Sequence, residues 1–201
     1  MTLLNNPFVT SGYIAPEYFC DRERETEELL RWLVNENNVA IISTRRMGKT
    51  GLIQHCFHLK EIKENYYTFL IDIYATKTLR EFVFQLGKVI LATLKPKGQK
   101  AWELFVNSLV SLKAGFSLDM SGMPQWNLEL GDIKSPETTL DEIFHYLAVS
   151  DKPCIIAIDE FQQVAQYPEK NTEALLRTYV QHCDKAVSYT HLRAHETLMN
   201  L

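Results

Sequence analysis

The chain has 201 residues, of which 46% are apolar, and it carries a net charge of −4 at pH 7. A chain of this length and composition can bury a core of its own as one domain. It contains no basic run and no apolar stretch long enough to span a membrane, so no nucleic-acid or membrane partner is indicated. The four cysteines are widely spaced without a C-x-x-C pair, which favours reduced thiols in a cytoplasmic protein.

The first predicted elements are a helix, a strand and a second helix. The first helix is expected over residues 23–35, the strand over the apolar run of residues 39–42, and the second helix from residue 51 to about residue 60. His55 and His58 lie on the second helix, where their spacing suits packing or solvent exposure rather than catalysis. The pattern predicts an α/β unit with a short loop after its first strand.

This loop has the pattern of a phosphate-binding loop. It consists of Ser43, Thr44, Arg45, Arg46, Met47, Gly48, Lys49 and Thr50, and Gly51 follows it. In such a loop the backbone N–H groups and the positive end of the helix dipole hold phosphates. Lys49 would supply a charge to the β- and γ-phosphates, and the Thr50 hydroxyl would bind Mg²⁺. Ser43 stands where the usual pattern has its first glycine, which is a departure from that pattern.

The middle of the chain predicts further α/β structure with an inserted β-hairpin. A second strand is expected over residues 67–75, and Asp72 near its end is expected to cap the following segment rather than bind metal. Apolar and polar residues alternate over residues 116–120 and 126–130 around a turn, which is typical of a hairpin. Helices are predicted over residues 77–94, 101–112, 136–149 and 171–184.

A second chemical motif follows the buried-strand run of residues 154–158. Asp159 and Glu160 end this run, and an Asp at the tip of a parallel strand can hold Mg²⁺ near Thr50. Glu160 can act as the base that deprotonates a water attacking the γ-phosphate. The alternative is that both carboxylates only cap the next helix. The two motifs together, in this order, predict nucleotide binding.

On these motifs the chain resembles the archaeal-type P-loop ATPase family, an AAA-related group with adjacent Asp and Glu in its Walker B strand. The resemblance also uses Asn6-Pro7-Phe8, the segment from Tyr18 to Glu23, and the paired arginines of the loop. It implies that ATP and Mg²⁺ are the cofactors and that the segment from Phe19 to Glu23 lies near the adenine. Read from the residues alone, this segment is equally well a helix N-terminus with Asp21 as its cap.

The last residues require a different interpretation. Residues 187–197 read VSYTHLRAHET, which is one translation frame of a transposase-type sequencing adapter. We therefore expect residues 187–201 to be a non-native tail and residues 1–186 to be a truncated P-loop ATPase domain. On that view the strand beside residues 39–42, any arginine finger and any C-terminal domain are missing, and the fragment itself can be inactive.

The expected fold is a three-layer α/β P-loop NTPase with a mainly parallel central sheet, incomplete at the C-terminus, with an inserted β-hairpin. The expected function is Mg²⁺-dependent hydrolysis of ATP to ADP and phosphate, coupled to an unknown conformational or remodelling task. The alternative is a nucleotide-dependent switch that binds ATP with little or no hydrolysis. A GTPase is disfavoured because no Asn-Lys-x-Asp motif occurs. The protein partner and the oligomeric state stay open.

Overall fold

Strands and helices alternate along most of the chain. The structure is a computed structural model that describes residues 12–43, 47–94, 99–118, 124–126, 130, 133–182 and 187–194. The helices are α1 (Glu23–Val34), α2 (Lys49–His58), α3 (Lys60–Asn65), α4 (Leu79–Leu94), α5 (Gln99–Ser108), α6 (Pro136–Val149) and α7 (Thr172–His182). The strands are β1 (Val39–Ser43), β2 (Tyr67–Asp72), β3 (Phe116–Leu118), β4 (Pro124–Trp126), β5 (Cys154–Asp159) and β6 (Val187–Ala194). Short 3₁₀ helices cover Pro16–Tyr18, Val110–Gly115 and Phe161–Gln166.

The central sheet has the strand order β1-β6-β5-β2, and all its neighbouring strands are parallel. Asp72 at the end of β2 is paired in register with Asp159 at the end of β5. The carboxyl ends of parallel strands meet at one edge of a sheet, which is where ligands of open α/β folds gather. The predicted parallel α/β fold is therefore confirmed, and its candidate ligand edge carries acidic groups.

Helices cover both faces of β5, as the continuous apolar run predicts. Ile155 and Ala157 pack on the side of α1, α2 and α3, whereas Ile156 and Ile158 pack on the side of α4, α5 and α6. Successive side chains of a strand point to opposite faces, so one strand supports two separate cores. This arrangement is the predicted three-layer architecture. None of the described helices has both the length and the apolar character that crossing a membrane requires.

The inserted hairpin is present outside the central sheet. Strands β3 and β4 are antiparallel, and Phe116 is paired in register with Trp126. The predicted hairpin is confirmed, but its second strand begins at Pro124, two residues earlier than expected, and residues 127–129 lie outside the described residues. Residues 119–123, which include most of the predicted turn, lie outside the described residues.

The position beside β1 corrects one expectation. We expected β1 to lack its inner neighbour, but β6 pairs with β1 on one side and with β5 on the other. The strand in this position is drawn from residues 187–194, which the sequence analysis assigns to a non-native tail. Parallel pairing uses backbone N–H and C=O groups, and a segment without proline can supply them whatever its side chains are. The observed pairing thus corrects the expected arrangement of strands around β1. The non-native origin of residues 187–201 stays a prediction.

The end of β2 confirms the structural role expected for Asp72. The strand ends at this residue, earlier than predicted, and Oδ1 of Asp72 accepts a hydrogen bond from the backbone N–H of Tyr74 at 2.9 Å. An Asp that bonds two residues ahead forms a local turn and stops the strand. Asp72 therefore caps the segment that follows.

Two of the cysteines are core residues. Cys56 and Cys154 are fully buried, and both are free thiols. Burial raises the pKa of the Cys56 thiol to about 12, so this group stays protonated and unreactive at neutral pH.

Candidate nucleotide-binding site

The loop between β1 and α2 joins its helix through a left-handed glycine. Gly48 has φ +69° and forms the N-cap of α2, so Lys49 and Thr50 occupy the first turn of that helix. Glycine adopts this conformation at little cost, whereas a side chain here would strain the backbone. Thr44, Arg45 and Arg46, which the sequence assigns to the loop, lie outside the described residues. The described part places a helix N-terminus at the carboxyl edge of the sheet, which is an arrangement that binds anions.

A hydrogen bond joins the loop to the second motif. The Thr50 hydroxyl donates to Oδ2 of Asp159 at 2.6 Å, although the two residues lie 109 positions apart in the chain. Asp159 is the last residue of β5, and both residues are half-buried. The fold therefore brings together the hydroxyl and the carboxylate that the sequence analysis paired. These are oxygen donors of the kind that Mg²⁺ prefers, and Mg²⁺ commonly uses one or two protein groups together with phosphate oxygens.

Glu160 sits in a strained turn directly after β5. Its φ of +59° lies in the left-handed region, which costs a residue with a side chain about 1–2 kcal/mol. This turn ends the strand and starts the 3₁₀ helix Phe161–Gln166, with the backbone N–H of Gln163 donating to the Glu160 carbonyl at 2.9 Å. Strain of this kind is concentrated at functional sites.

The carboxylates of this motif do not cap the following helix, which was the alternative interpretation. Glu160 is at the N-cap position of the 3₁₀ helix, but its side chain makes no capping hydrogen bond within the described part of the chain. Oδ1 of Asp159 accepts instead from the backbone N–H of Glu160 at 3.0 Å, while Oδ2 accepts from Thr50. Asp159 is thereby fixed toward the loop, and the Glu160 carboxylate is left for another role.

Arg22 also holds the loop, through contacts that were not predicted from the sequence. Its Nη1 donates to the carbonyl of Met47 at 2.9 Å and to the carbonyl of Gly48 at 3.2 Å. The expectation that Asp21 caps α1 is wrong: Arg22 is the N-cap residue, and Asp21 has φ +61°. A side chain that reaches 25 residues along the chain leaves no local pattern. The nearest signal was the Arg-Glu pair in the segment that carries the resemblance.

An aromatic cluster lies beside α2. The ring of Phe19 stacks on that of His55 with centroids 4.2 Å apart, and the Tyr13 hydroxyl lies 3.3 Å from Nδ1 of His55. A methyl group added at Gly51 would lie 3.9 Å from the Phe19 ring, so this ring packs against the first turns of α2. Burial, and then the nearby His58, lower the pKa of His55 below its ordinary 6.5.

A cavity of about 220 Å³ opens next to this cluster. It is lined by Phe19, Cys20, Arg22, Glu23, Thr26, Glu27 and His55. The segment from Phe19 to Glu23 therefore lines a cavity beside the first turns of α2. His55 packs there, as its spacing predicted, and Tyr13 joins the cluster from a part of the chain that the sequence analysis did not use.

Solved structures with the same fold come from archaeal proteins. The Walker-type ATPase of Pyrococcus abyssi is 21% identical with a TM-score of 0.57, and the match covers 93% of this chain and 49% of that one. The ORC2 protein of Aeropyrum pernix, solved as ADPNP-ADP complexes, is 16% identical with a TM-score of 0.56, covering 92% and 43%. The ORC1 protein of Aeropyrum pernix, solved in complex with DNA, is 15% identical with a TM-score of 0.50, covering 88% and 40%. At these identities the likeness shows the fold alone, and this chain spans less than half of each of the three proteins.

No curated protein sequence matches the chain. One protein family does match it, over residues 19–194, and that family is described as an ATPase domain predominantly from Archaea. The matched range begins at Phe19 in the aromatic cluster and includes the loop, Asp159 and Glu160. The family, the fold and the joined motifs agree with the resemblance seen in the sequence. The chain therefore belongs to the family of archaeal-type P-loop ATPases.

Proposed function

We propose that this domain binds ATP with Mg²⁺ and hydrolyses it to ADP and phosphate. The observation that carries the proposal is the 2.6 Å hydrogen bond between Thr50 and Asp159. It supports a site in which loop and strand act on one nucleotide, because a hydroxyl and a carboxylate in contact can ligate one ion. The family membership supports an ATPase at the general level.

In this proposal the phosphates are bound by residues 43–51, with Lys49 as the charge nearest to the β- and γ-phosphates. Thr50 and Asp159 would hold Mg²⁺, which when bound neutralises phosphate charge and orients the γ-phosphate. The cavity beside Phe19 and His55 would lie on the adenine side, since it opens next to the helix that begins at the phosphates. The resemblance in sequence points to the same segment.

Glu160 is the proposed base. Its carboxylate would accept a proton from the attacking water, whose oxygen forms a bond to the γ-phosphorus as the bond to the β–γ bridging oxygen breaks. The products are ADP and inorganic phosphate, and no covalent enzyme intermediate forms. Most of the rate enhancement would come from positioning and from fixed positive charge around the γ-phosphate, as is usual in phosphoryl transfer.

The task driven by hydrolysis would involve a partner protein rather than nucleic acid. The chain has a net charge of −4 and no basic run, which supports this part of the proposal. The location proposed from the reduced, widely spaced cysteines is the cytoplasm.

The test replaces Glu160 with Gln, which keeps the shape of the side chain and removes the base. We expect turnover to fall by at least about 100-fold, because general-base catalysis contributes about 10²- to 10⁴-fold, while the Kd for ATP changes little. Phosphate release and ATP binding by calorimetry are the two measurements. Unchanged turnover would remove Glu160 from its proposed role.

The companion variant Lys49→Ala separates binding from chemistry. Loss of the lysine charge should weaken ATP binding by about tenfold or more, since charge-assisted contacts to phosphate are among the strong ones. Intact affinity in this variant would contradict the loop assignment. If both variants bind as expected but the natural protein releases no phosphate above the background without protein, the domain is a nucleotide-dependent switch instead.

A further inference from the structure

The Glu160 side chain is held by a neighbour that the mechanism above does not use. Nε2 of Gln162 donates a hydrogen bond to Oε2 of Glu160. The contact depends on local geometry, because the left-handed turn at Glu160 starts a 3₁₀ helix and brings the side chain two residues ahead back beside the strand end. The base proposed for hydrolysis is thus tied through one of its two oxygens.

The other end of the Gln162 amide makes no competing contact. Its Oε1 is buried and has no hydrogen-bond partner among the described residues. Turning the amide over would place the carbonyl oxygen against the carboxylate, where two acceptors repel each other. The hydrogen bond to Glu160 therefore sets the orientation of the amide, even though its oxygen is left without a partner among the described residues.

The next residue provides a natural comparison. Gln163 is also a glutamine of the same 3₁₀ helix, but its Nε2 donates to the backbone carbonyl of Tyr74 at 3.0 Å. That bond joins the helix to the turn after β2 and makes no contact with the carboxylate. The two adjacent side-chain amides therefore serve different groups, and of the two it is the Gln162 amide that contacts the Glu160 carboxylate.

We propose that Gln162 is a positioning residue that fixes the Glu160 carboxylate for proton transfer. A glutamate has several rotatable bonds, and anchoring Oε2 restricts them so that Oε1 is presented in one direction. The proposal rests on the proposed function, because it assigns a role to Gln162 in the reaction for which Glu160 is the base. Gln162 itself contacts neither nucleotide nor water in this role.

The first test measures the contact without turnover. In the ¹H–¹⁵N spectrum of the whole chain, we expect the side-chain amide signals of Gln162 to shift when Glu160 is replaced with Ala, while those of Gln163 stay in place. Equal signals for Gln162 in both proteins would overturn the inference. This readout does not depend on ATP hydrolysis, so it stands even where Glu160→Gln shows that the proposed function is wrong.

The second test is a kinetic cycle built on Gln162→Met, which keeps length and removes the amide. We expect kcat to fall by about tenfold with KM for ATP unchanged, since misplacement of a catalytic group by about 1 Å costs up to 10²-fold. Gln163→Met, the matched control, should keep the kcat of the natural protein. Equal kcat values for Gln162→Met and Gln163→Met would overturn the proposal.

The cycle then adds Gln162→Met to Glu160→Gln and follows slow single turnovers. A residue that acts only through Glu160 has no further effect once that base is gone, so the residual rate should match that of Glu160→Gln alone. A further tenfold fall in the double variant would show that Gln162 supports the fold or the nucleotide directly, which would also overturn the proposal. A melting curve for Gln162→Met identifies misfolding, and in that case Gln162→Leu, which also removes the amide without adding a charge, takes its place in the cycle.

Discussion

The two halves of the central sheet are supported in different ways. In β5 every residue from Cys154 to Ile158 is buried, with one core on each face. In β1 the residues alternate instead: Val39 and Ile41 pack against α1 and α2, while Ala40 and Ile42 are exposed, Ile42 by 58%. A cavity of about 360 Å³ lies over this exposed face, lined mainly by β1, the 3₁₀ helix after Glu160 and α7.

This difference separates a well-buried half of the sheet from the half that carries the candidate loop. The β5–β2 half contains the large core, whereas β1, which leads into the candidate phosphate-binding loop, is covered on one face. The loop itself is held by polar contacts, from Arg22 to its carbonyls and from Thr50 to Asp159. Segments that bind ligands are commonly drawn from the less stable end of a fold. The candidate site thus joins Asp159, at the end of the buried strand β5, to a loop whose own strand is covered on one face only.

The largest expected effect comes from making the same substitution in the two halves. Ile156→Thr in β5 should lower the free energy of unfolding by about 2–4 kcal/mol, because it removes buried apolar volume and buries a hydroxyl. Ile156 is 1% exposed. Ile42→Thr in β1 should change it by no more than about 0.5 kcal/mol, since the exposed site keeps a β-branched residue. Urea unfolding of both variants is the measurement.

The pair of variants can also break the comparison. A similar loss at both positions would mean that the exposed face of β1 is covered in solution. A small loss at Ile156 would mean that the core over α4 and α6 repacks around a hydroxyl. Either result would remove the contrast between the two halves.

Sequence reasoning predicted the β5 half well and the β1 half less well. The run of residues 154–158 is uniformly apolar and α6 (Pro136–Val149) begins with a proline, so the bounds of α6 were predicted as the structure shows them and those of β5 to within one residue. The motifs at Lys49 and Asp159 were also recognised, because their chemistry requires fixed residue types at fixed spacing. Local periodicity and motif spacing are what a single sequence carries best.

The rest depends on contacts between distant or irregular segments. Asp21 looked like a cap because Asp favours helix N-termini, whereas in the structure Arg22 has that position and extends to the loop. The bond from Gln162 to Glu160 depends on a 3₁₀ rather than an α-helical turn, and residue types alone do not distinguish the two. The pairing of β6 with β1 involves a segment that the sequence analysis had excluded from the fold.

A smaller and more local effect should follow from replacing Arg22 with Met. The variant loses the hydrogen bonds to the carbonyls of Met47 and Gly48, so we expect weaker ATP binding, by about five- to tenfold, as the loop becomes less ordered. The free energy of unfolding should fall by only about 1 kcal/mol, because a half-exposed polar contact contributes little. Calorimetry of ATP binding and urea unfolding measure the two effects.

The matched control for Arg22→Met is Arg24→Met. Arg24 is exposed in the same first turn of α1, so its loss changes the net charge equally. We expect its ATP affinity to stay near that of the natural protein. If both variants lose affinity equally, the effect comes from long-range charge. The hydrogen bonds from Arg22 to the loop carbonyls are then not what supports the β1 half.

The smallest expected effect concerns pH. Because burial and His58 lower the pKa of His55 in the folded state, the unfolded chain binds more protons at this position as the pH falls below about 6.5. His55 therefore stabilises the fold fully at pH 7 and above, and part of that contribution is lost as the pH falls toward 5. We expect the difference in melting temperature between pH 7 and pH 5 to be smaller in His55→Gln than in the natural protein.

His145→Gln, on the exposed surface of α6, is the control and should leave the cluster around Phe19 unchanged. An equal pH dependence in the natural protein and in His55→Gln would mean that His55 accepts its proton as readily in the fold as outside it, and that the aromatic cluster supports α2 by stacking alone.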